Sequence, residues 1–169
     1  MFSRAGRAAL LNRAPFTEAY FDSNAAADGA ILVAIAAAVP YLLDVFLESA
    51  GDFAVQSLFG VVIGGVISWL ILGFATWFAA TRLFGSMGRP QIMLGLHGLA
   101  ALPLILEGLG TLGAAVGLVW YLAVLVVATR EASELSTRDA AVSVLIGFAA
   151  AILIRALIRA PFAILGSLF

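Results

Sequence analysis

One stretch of this chain, residues 57–80, runs for 24 residues without a formal charge. At a rise of about 1.5 Å per residue, roughly 20 apolar residues cross a bilayer core of about 30 Å. The stretch therefore predicts a transmembrane helix that is long enough to tilt. We interpret it as the central helix of a bundle.

Small residues mark one face of this helix. Gly60, Gly64 and Ser68 recur every four residues, so they lie on the same side. Small side chains let another helix approach closely, and close packing is a main source of helix association in lipid. Gly113 and Gly117 have the same spacing later in the chain. We expect both faces to pack within the chain, with contact to a partner protein as the alternative.

Composition indicates that lipid is the solvent of this chain. Of its 169 residues, 63% are hydrophobic and 11% are charged, whereas about a quarter of the residues of a soluble domain are charged. The length fits one domain, and the predicted fold class is an all-α polytopic membrane protein. A net charge of −1 gives no field that favours nucleic acid, and the absence of cysteine excludes disulfides and cysteine metal sites.

Apolar runs and their breakers predict a bundle of five transmembrane helices. They cover residues 29–48, 57–80, 91–107, 114–130 and 137–159. Proline lacks the backbone donor that a helix interior needs. We therefore expect Pro40 to kink the first helix, Pro103 to interrupt the third and Pro161 to end the fifth.

The transmembrane domain, residues 29–160, is flanked by a leading segment, residues 1–28, and an apolar tail, residues 161–169. No apolar run directly follows the first arginines, so a secretory signal is not expected. The mixture of aromatic residues, leucines and arginines favours a short interfacial helix broken at Pro15. A loose polar lead-in is the alternative. The tail is expected to return to the interface.

The arginines give the expected orientation. With five spans, one side of the membrane receives seven of the nine arginines and the other side receives two. The seven are Arg4, Arg7, Arg13, Arg82, Arg89, Arg130 and Arg138, and the two are Arg155 and Arg159. The positive-inside rule then places the N-terminus in the cytoplasm. Arginine without any lysine indicates a GC-rich genome, so the expected location is a bacterial inner membrane.

Four segments of the chain together resemble one family of membrane proteins. They read PFTEAYFDSNAAADGAIL, LFGVVIGGVISWLILGFATWFAATRLFG, LHGLAALPLIL and VWYLAVLVVATREASELSTRDAAVSVLIG. In this order they resemble the lead-in to the first span, the glycine-rich second span, the proline-containing third span, and the fourth span with its loop. The family is the Yip family (Ypt-interacting proteins), in its small bacterial branch. The resemblance covers roughly residues 10–160 and includes no catalytic motif.

The resemblance implies five membrane helices with a cytoplasmic N-terminus, in agreement with the arginine distribution. Eukaryotic members of the family act in vesicle traffic and contact prenylated Rab-type GTPases through a longer N-terminal region. Here that region has about 28 residues, so the GTPase role is not carried over. For bacterial members the resemblance implies a fold more than an activity.

Five charged residues lie within the spans or at their ends, where an unpaired charge is expensive. They are Asp44, Glu48, Glu107, Arg155 and Arg159. In the five-span arrangement all of them lie near the non-cytoplasmic face. We expect the acids and arginines to pair as a structural clamp between the first, third and fifth helices. An ion or solute vestibule is the alternative.

His97 is the only histidine of the chain. With no cysteine and no carboxylate pair nearby, it does not form the pattern of a metal site. A hydrogen bond to a neighbouring helix is favoured over a proton relay. The sequence contains no phosphate loop, Ser-His-Asp set or paired-carboxylate arrangement. We therefore expect neither an enzyme nor a cofactor.

These observations favour a non-enzymatic integral membrane protein that binds other membrane proteins or organises the bilayer. Its expected partners are the lipid bilayer and other membrane proteins or a larger membrane complex, and not nucleic acid. An accessory subunit of a respiratory or photosynthetic complex is the first alternative. A small transporter or channel that uses Asp44, Glu107 and Arg155 is the second.

Overall fold

A computed structural model describes residues 1–47 and 55–166 of the chain. These residues form helices joined by short connections, so the all-helical prediction is confirmed for this part of the chain. In chain order the helices are α1 Phe2–Ala9, α2 Ala14–Tyr20, α3 Ala25–Leu47, α4 Val55–Phe84, α5 Pro90–Leu99, a 3₁₀ helix Leu102–Leu109, α6 Gly110–Ser133 and α7 Thr137–Gly166.

Four helical stretches of the described residues are long and apolar enough to cross a membrane. They are Ala25–Phe46, Val55–Phe84, Leu102–Ser133 and Thr137–Leu157. Three of them correspond to the first, second and fifth predicted spans, and the other contains the fourth. The chain is therefore a multi-pass helical membrane protein, since each helix satisfies its own backbone in lipid.

The third predicted span, residues 91–107, is not one continuous helix. α5 ends at Leu99, and the 3₁₀ helix begins at Leu102. Pro103 explains the break, because its ring would clash with the carbonyl four residues earlier and it donates no N–H. After the 3₁₀ helix, Gly110 adopts φ +81, which favours glycine, and the chain reverses into α6.

Small residues of α6 hold the 3₁₀ helix close to it. A Cβ on Gly113 would collide with the carbonyl oxygen of Leu106, and a Cβ on Gly117 would lie 2.7 Å from that of Pro103. Gly117 follows Gly113 along α6, but its contact, Pro103, precedes Leu106 along the 3₁₀ helix. The two helices therefore run antiparallel. Gly113 and Gly117 thus lie at a contact within the chain.

α3 runs alongside α5 and the 3₁₀ helix in the same direction. Near the start of α3, a Cβ on Gly29 would lie 3.2 Å from the Cα of Gly98. Near its end, a Cβ on Gly108 would lie 3.1 Å from the Cα of Pro40. Residues 90–109 therefore follow α3 over most of its length, and contacts this close require small residues at the crossing.

The expectation that Pro161 ends the last helix is wrong. α7 continues through this position to Gly166. The helix therefore continues although proline removes one of its backbone hydrogen bonds. Residues 167–169 of the predicted apolar tail lie outside the described residues.

The connections after α4 and α6 lie at the same end of the molecule. Ser86 Oγ donates a 3.1 Å hydrogen bond to the carbonyl of Ser133, which links the two connections. α7 then begins with a side-chain cap. The Asp139 N–H donates to Ser136 Oγ at 3.2 Å, and Ser136 Oγ donates to the Asp139 carboxylate at 2.7 Å.

The leading segment forms two helices, as the break predicted at Pro15 implies, and α1 and α2 pair as a hairpin. Ion pairs of 2.7 Å between Arg4 and Asp22 and of 2.9 Å between Arg7 and Glu18 join its two arms. The hairpin packs onto α5 and α6, and Phe16 is completely buried there. Whether it also touches the membrane interface stays a prediction.

Candidate functional site

A cleft of about 1080 Å³ lies between α3, α4, the 3₁₀ helix, α6 and α7. Along α4 its lining extends from Ser57 to Leu72, which is about 22 Å at 1.5 Å per residue. The mouth of the cleft lies at the end of the molecule opposite the connections after α4 and α6. Its inner end is formed by the buried side chains of Trp69, Leu72 and Tyr121.

Three of the charged residues singled out in the sequence come together at the mouth. Asp44 of α3, Glu107 of the 3₁₀ helix and Arg155 of α7 line the cleft, and all three are exposed. We call these three residues the rim. Glu48 lies outside the described residues, and so does the side chain of Arg159 one turn beyond Arg155.

The rim does not form the predicted clamp. Among residues with described side chains, the ion pairs involve only arginines of the leading segment. They join Arg4 to Asp22, Arg7 to Glu18 and Arg13 to Glu131. The expected pairing is therefore wrong for the described rim residues. The three charges are therefore exposed at the mouth and are not paired with one another in a buried interior.

The small-residue face of α4 lines the cleft instead of packing within the chain. A Cβ on Gly60 or Gly64 would meet nothing within 4 Å. α3 instead contacts α4 at the next residue of α4, Gly65, where an added Cβ would lie 2.8 Å from the Cβ of Ala37. The expected within-chain contact is wrong for Gly60 and Gly64, because α4 turns this face toward the cleft. Contact with a partner at these positions stays a prediction.

Ser68 completes this face without contacting another helix through its hydroxyl. Its Oγ donates a 2.7 Å hydrogen bond to the carbonyl of Gly64, one turn earlier in α4. A serine hydroxyl satisfied in this way adds little polarity to the wall of the cleft. The face of Gly60, Gly64 and Ser68 is therefore effectively apolar, and its side chains are small.

Tyr121 is a polar residue of the cleft that the sequence analysis missed. It is 6% exposed, and the described residues include no hydrogen-bond partner for its hydroxyl. A buried tyrosine hydroxyl usually finds a partner. The signal in the sequence was a single phenol within a run of apolar residues, which by itself predicts only membrane anchoring or packing.

The outer halves of α4 and α7 are loosely packed around the cleft. No residue is buried in residues 55–68 of α4 or in residues 149–157 of α7. The inner halves are tightly packed, since a Cβ on Gly147 of α7 would collide with Thr76 of α4. The cleft is therefore bounded by helices that are packed at one end and accessible at the other.

His97 lies outside the cleft, in the packed inner half of the bundle. It is completely buried, and its Nε2 lies 2.9 Å from Oγ1 of Thr129 on α6. Its Nδ1, Oγ1 of Thr76 and Oγ of Ser133 are buried without a partner among the described residues. None of these atoms belongs to a residue that lines the cleft. This polar layer therefore does not extend the cleft toward the opposite end of the molecule.

The described residues contain no group of three or more histidine, aspartate or glutamate side chains that could hold a metal ion. The sequence model of the Yip1 domain matches residues 13–158, a range that includes every residue of the cleft. Comparison with curated proteins and with solved structures gave no match.

Proposed function

Because the chain belongs to the Yip1 domain family, we propose that it acts without catalysis, by binding components of the membrane in its cleft and so organising the bilayer. The open face of Gly60 and Gly64, which none of the described residues covers, carries the proposal. A face of small residues in lipid accepts an apolar partner at close range.

The five-crossing arrangement belongs to the same proposal. Residues 90–109 follow α3 from Ala25 to Leu43, about 27 Å at 1.5 Å per residue, so α5 and the 3₁₀ helix together cover nearly the depth of one span. The ten residues of α5 and the eight of the 3₁₀ helix extend about 30 Å at their usual rises. That length equals the hydrocarbon thickness of about 30 Å.

The orientation follows from this count. Five crossings put the arginines of the leading segment and of the connections after α4 and α6 on one side, where the positive-inside rule favours the cytoplasm. The N-terminus is then cytoplasmic, and the cleft opens into the outer leaflet of the cell membrane. Its occupant therefore comes from that leaflet.

A spin label at Gly64 tests what fills the cleft. The chain has no cysteine, so Gly64→Cys offers a single thiol for a nitroxide. In reconstituted vesicles we expect molecular oxygen, which concentrates in lipid, to relax the label more strongly than a water-soluble nickel complex. Ile63→Cys, at a position 55% exposed in the same span, serves as the lipid reference. Met87→Cys, at a position 98% exposed in a connection, serves as the aqueous reference.

Two results would contradict the proposal. A label that is immobilised and shielded from both reagents after extraction with its native neighbours would show that another protein covers the cleft, as an accessory subunit requires. A label that responds mainly to nickel would show a water-filled vestibule.

Transport is the second candidate, because Asp44, Glu107 and Arg155 have no ion-pair partner among the described residues and line a cavity. It predicts ion or solute flux in liposomes that Asp44→Asn abolishes. The packed layer beyond Trp69 and Tyr121 argues against it, because it closes the inner end of the cleft. We expect no flux with the unsubstituted protein or with Asp44→Asn.

A further inference from the structure

We propose that the cleft binds one zwitterionic phospholipid with a primary ammonium headgroup, with the headgroup at the rim and an acyl chain between α4 and α7. The inference rests on the proposed function and adds the chemical class of the occupant. It uses the charges of the rim and the apolar depth of the cleft.

The rim carries both signs of charge. Arg155 offers a guanidinium, the side chain best suited to a phosphate, because its donors match two phosphate oxygens. Asp44 and Glu107 offer carboxylates on two other elements that line the same cleft. An ammonium group with three N–H donors suits these acceptors. A phosphate and an ammonium joined in one headgroup therefore complement the whole rim.

The charge balance distinguishes between headgroups. The rim has two carboxylates and one guanidinium, so an anionic lipid would place its net charge beside an excess of negative charge. A headgroup with a quaternary ammonium is neutral overall, but it has no N–H to donate to Asp44 or Glu107. Only a zwitterionic headgroup with a primary ammonium both is neutral overall and has N–H donors for Asp44 and Glu107.

The cleft below the rim suits a hydrocarbon chain. Its wall includes the bare backbone of Gly60 and Gly64 on α4, together with Leu118 of α6 and Ile152 of α7. Its length along α4, about 22 Å, exceeds the roughly 15 Å of hydrocarbon in one leaflet. A water-soluble zwitterion would fill only the mouth and leave this apolar depth empty.

The Tyr121 phenol lines the inner end of the cleft. It lies eleven residues along α6 from Gly110 at the rim, about 16 Å at 1.5 Å per residue. With a headgroup at the rim, the phenol therefore lies beside the lower part of the acyl chain, below the ester carbonyls.

Native mass spectrometry of the full chain tests the proposal. The protein is reconstituted in an equimolar mixture of dioleoyl phosphatidylethanolamine, phosphatidylcholine and phosphatidylglycerol. It is then released from the lipid mixture in the mass spectrometer, and the number and class of lipids that stay bound to it are determined from its mass. We expect one retained phosphatidylethanolamine, favoured about fivefold over each of the others, which is the size expected for exposed charge pairs. Free phosphoethanolamine, added as the soluble headgroup, should neither bind nor displace the lipid.

Variants separate the headgroup from the chain. Neutralising both acids, Asp44→Asn with Glu107→Gln, should remove the preference for phosphatidylethanolamine and leave lipid bound. Gly64→Leu should remove the lipid altogether, because a Cβ there meets no described atom within 4 Å and the larger side chain would fill the open face. Arg138→Gln, which changes an exposed arginine remote from the rim, should alter neither result. Thermal unfolding in detergent confirms that each variant is folded.

The results distinguish failure of this inference from failure of the proposed function. Retention of all three lipids in equal amounts, lost in Gly64→Leu, would overturn the headgroup assignment and support the cleft as a membrane-binding site. Binding of free phosphoethanolamine with the affinity of the lipid would overturn the lipid as occupant. Dimerisation that Gly64→Leu abolishes, with no lipid retained, would overturn both.

Discussion

At the scale of single residues, one position along α4 separates a contact from a cavity. A Cβ on Gly65 would lie 2.8 Å from that of Ala37 in α3, whereas a Cβ on Gly64, which lines the cleft, would meet no described atom within 4 Å. The two glycines are adjacent and differ by the rotation of one residue about the helix axis, roughly 100° at 3.6 residues per turn. Enlarging Gly65 should therefore destabilise the fold, whereas enlarging Gly64 should not.

We expect Gly65→Leu to lower the free energy of unfolding by about 1–3 kcal/mol, because a side chain there overpacks the α3–α4 contact. Gly64→Leu should change stability by less than about 0.5 kcal/mol, as for a position without packing constraints. Unfolding of both variants in detergent, followed by circular dichroism, gives the comparison. Equal destabilisation would place both glycines at the helix contact and remove the open face.

His97 and Thr129 give a second prediction at this scale. Thr129→Val removes the hydroxyl 2.9 Å from His97 Nε2 and leaves a buried ring nitrogen without a partner. The loss should cost about 1–3 kcal/mol of stability, the penalty for an unsatisfied buried group. Thr111→Val, at an exposed position of the same helix, is the matched control and should be close to neutral. Similar effects of the two substitutions would show that the bond to His97 does not stabilise the bundle.

The sequence predicts such residues only in part. A lone histidine among apolar residues indicates a hydrogen bond to a neighbouring helix, and His97 has this environment. The spacing of Gly60, Gly64 and Ser68 identifies a real face of α4, but periodicity does not say what that face meets. The rotation of a helix is fixed by tertiary packing, so the cleft and the role of Tyr121 are absent from the pattern.

At the scale of elements, proline and glycine divide the third predicted span. Pro103 predicts the interruption, and α5 in fact ends at Leu99. Leu99 lies four residues before Pro103, and the proline ring would clash with its carbonyl if the helix continued. The 3₁₀ geometry beyond it was not predictable, since it depends on contacts with α3 and α6. Pro161, in contrast, lies within α7. A proline in the sequence therefore does not by itself fix the end of a helix.

The hairpin of α1 and α2 leads to a prediction on pH. Hydrogen bonds from Arg4 and from the Asn24 N–H keep the pKa of Asp22 below its ordinary value of 3.8. A carboxylate with a depressed pKa stabilises the folded state above pH 3.8, and its contribution disappears as pH falls through the lower folded-state value. We therefore expect the hairpin to loosen from the bundle only below pH 3.8.

Trp120 reports this transition, because its indole donates a 2.6 Å hydrogen bond to the carbonyl of Ala9 in α1. In a variant with Trp69→Phe and Trp77→Phe, its emission should shift to the red as the hairpin loosens in acid. Arg4→Ala should move the midpoint to higher pH, since it removes the main cause of the lowered pKa of Asp22. Arg138→Ala, which removes an exposed arginine outside the hairpin, is the control. An unchanged midpoint in Arg4→Ala would show that this ion pair does not hold the hairpin.

At the scale of the whole molecule, the helices divide the bundle into two halves. The half with the connections after α4 and α6 is tightly packed and contains His97. The opposite half is open and holds the rim and the cleft. Composition alone predicted a helical membrane protein, but this difference between the two ends required the structure. The account depends on residues 90–109 crossing the bilayer, because only then does the rim face the side opposite the arginine-rich connections.

Sided thiol labelling tests that crossing most directly. Met87 precedes α5 and is 98% exposed, and Leu112 follows the 3₁₀ helix and is 83% exposed. In sealed right-side-out vesicles, a membrane-impermeant maleimide should label Leu112→Cys at once and Met87→Cys only after the membrane is permeabilised. Labelling of both positions from the same side would mean that residues 90–109 enter and leave through one face. That result would contradict the five-crossing arrangement on which the account rests.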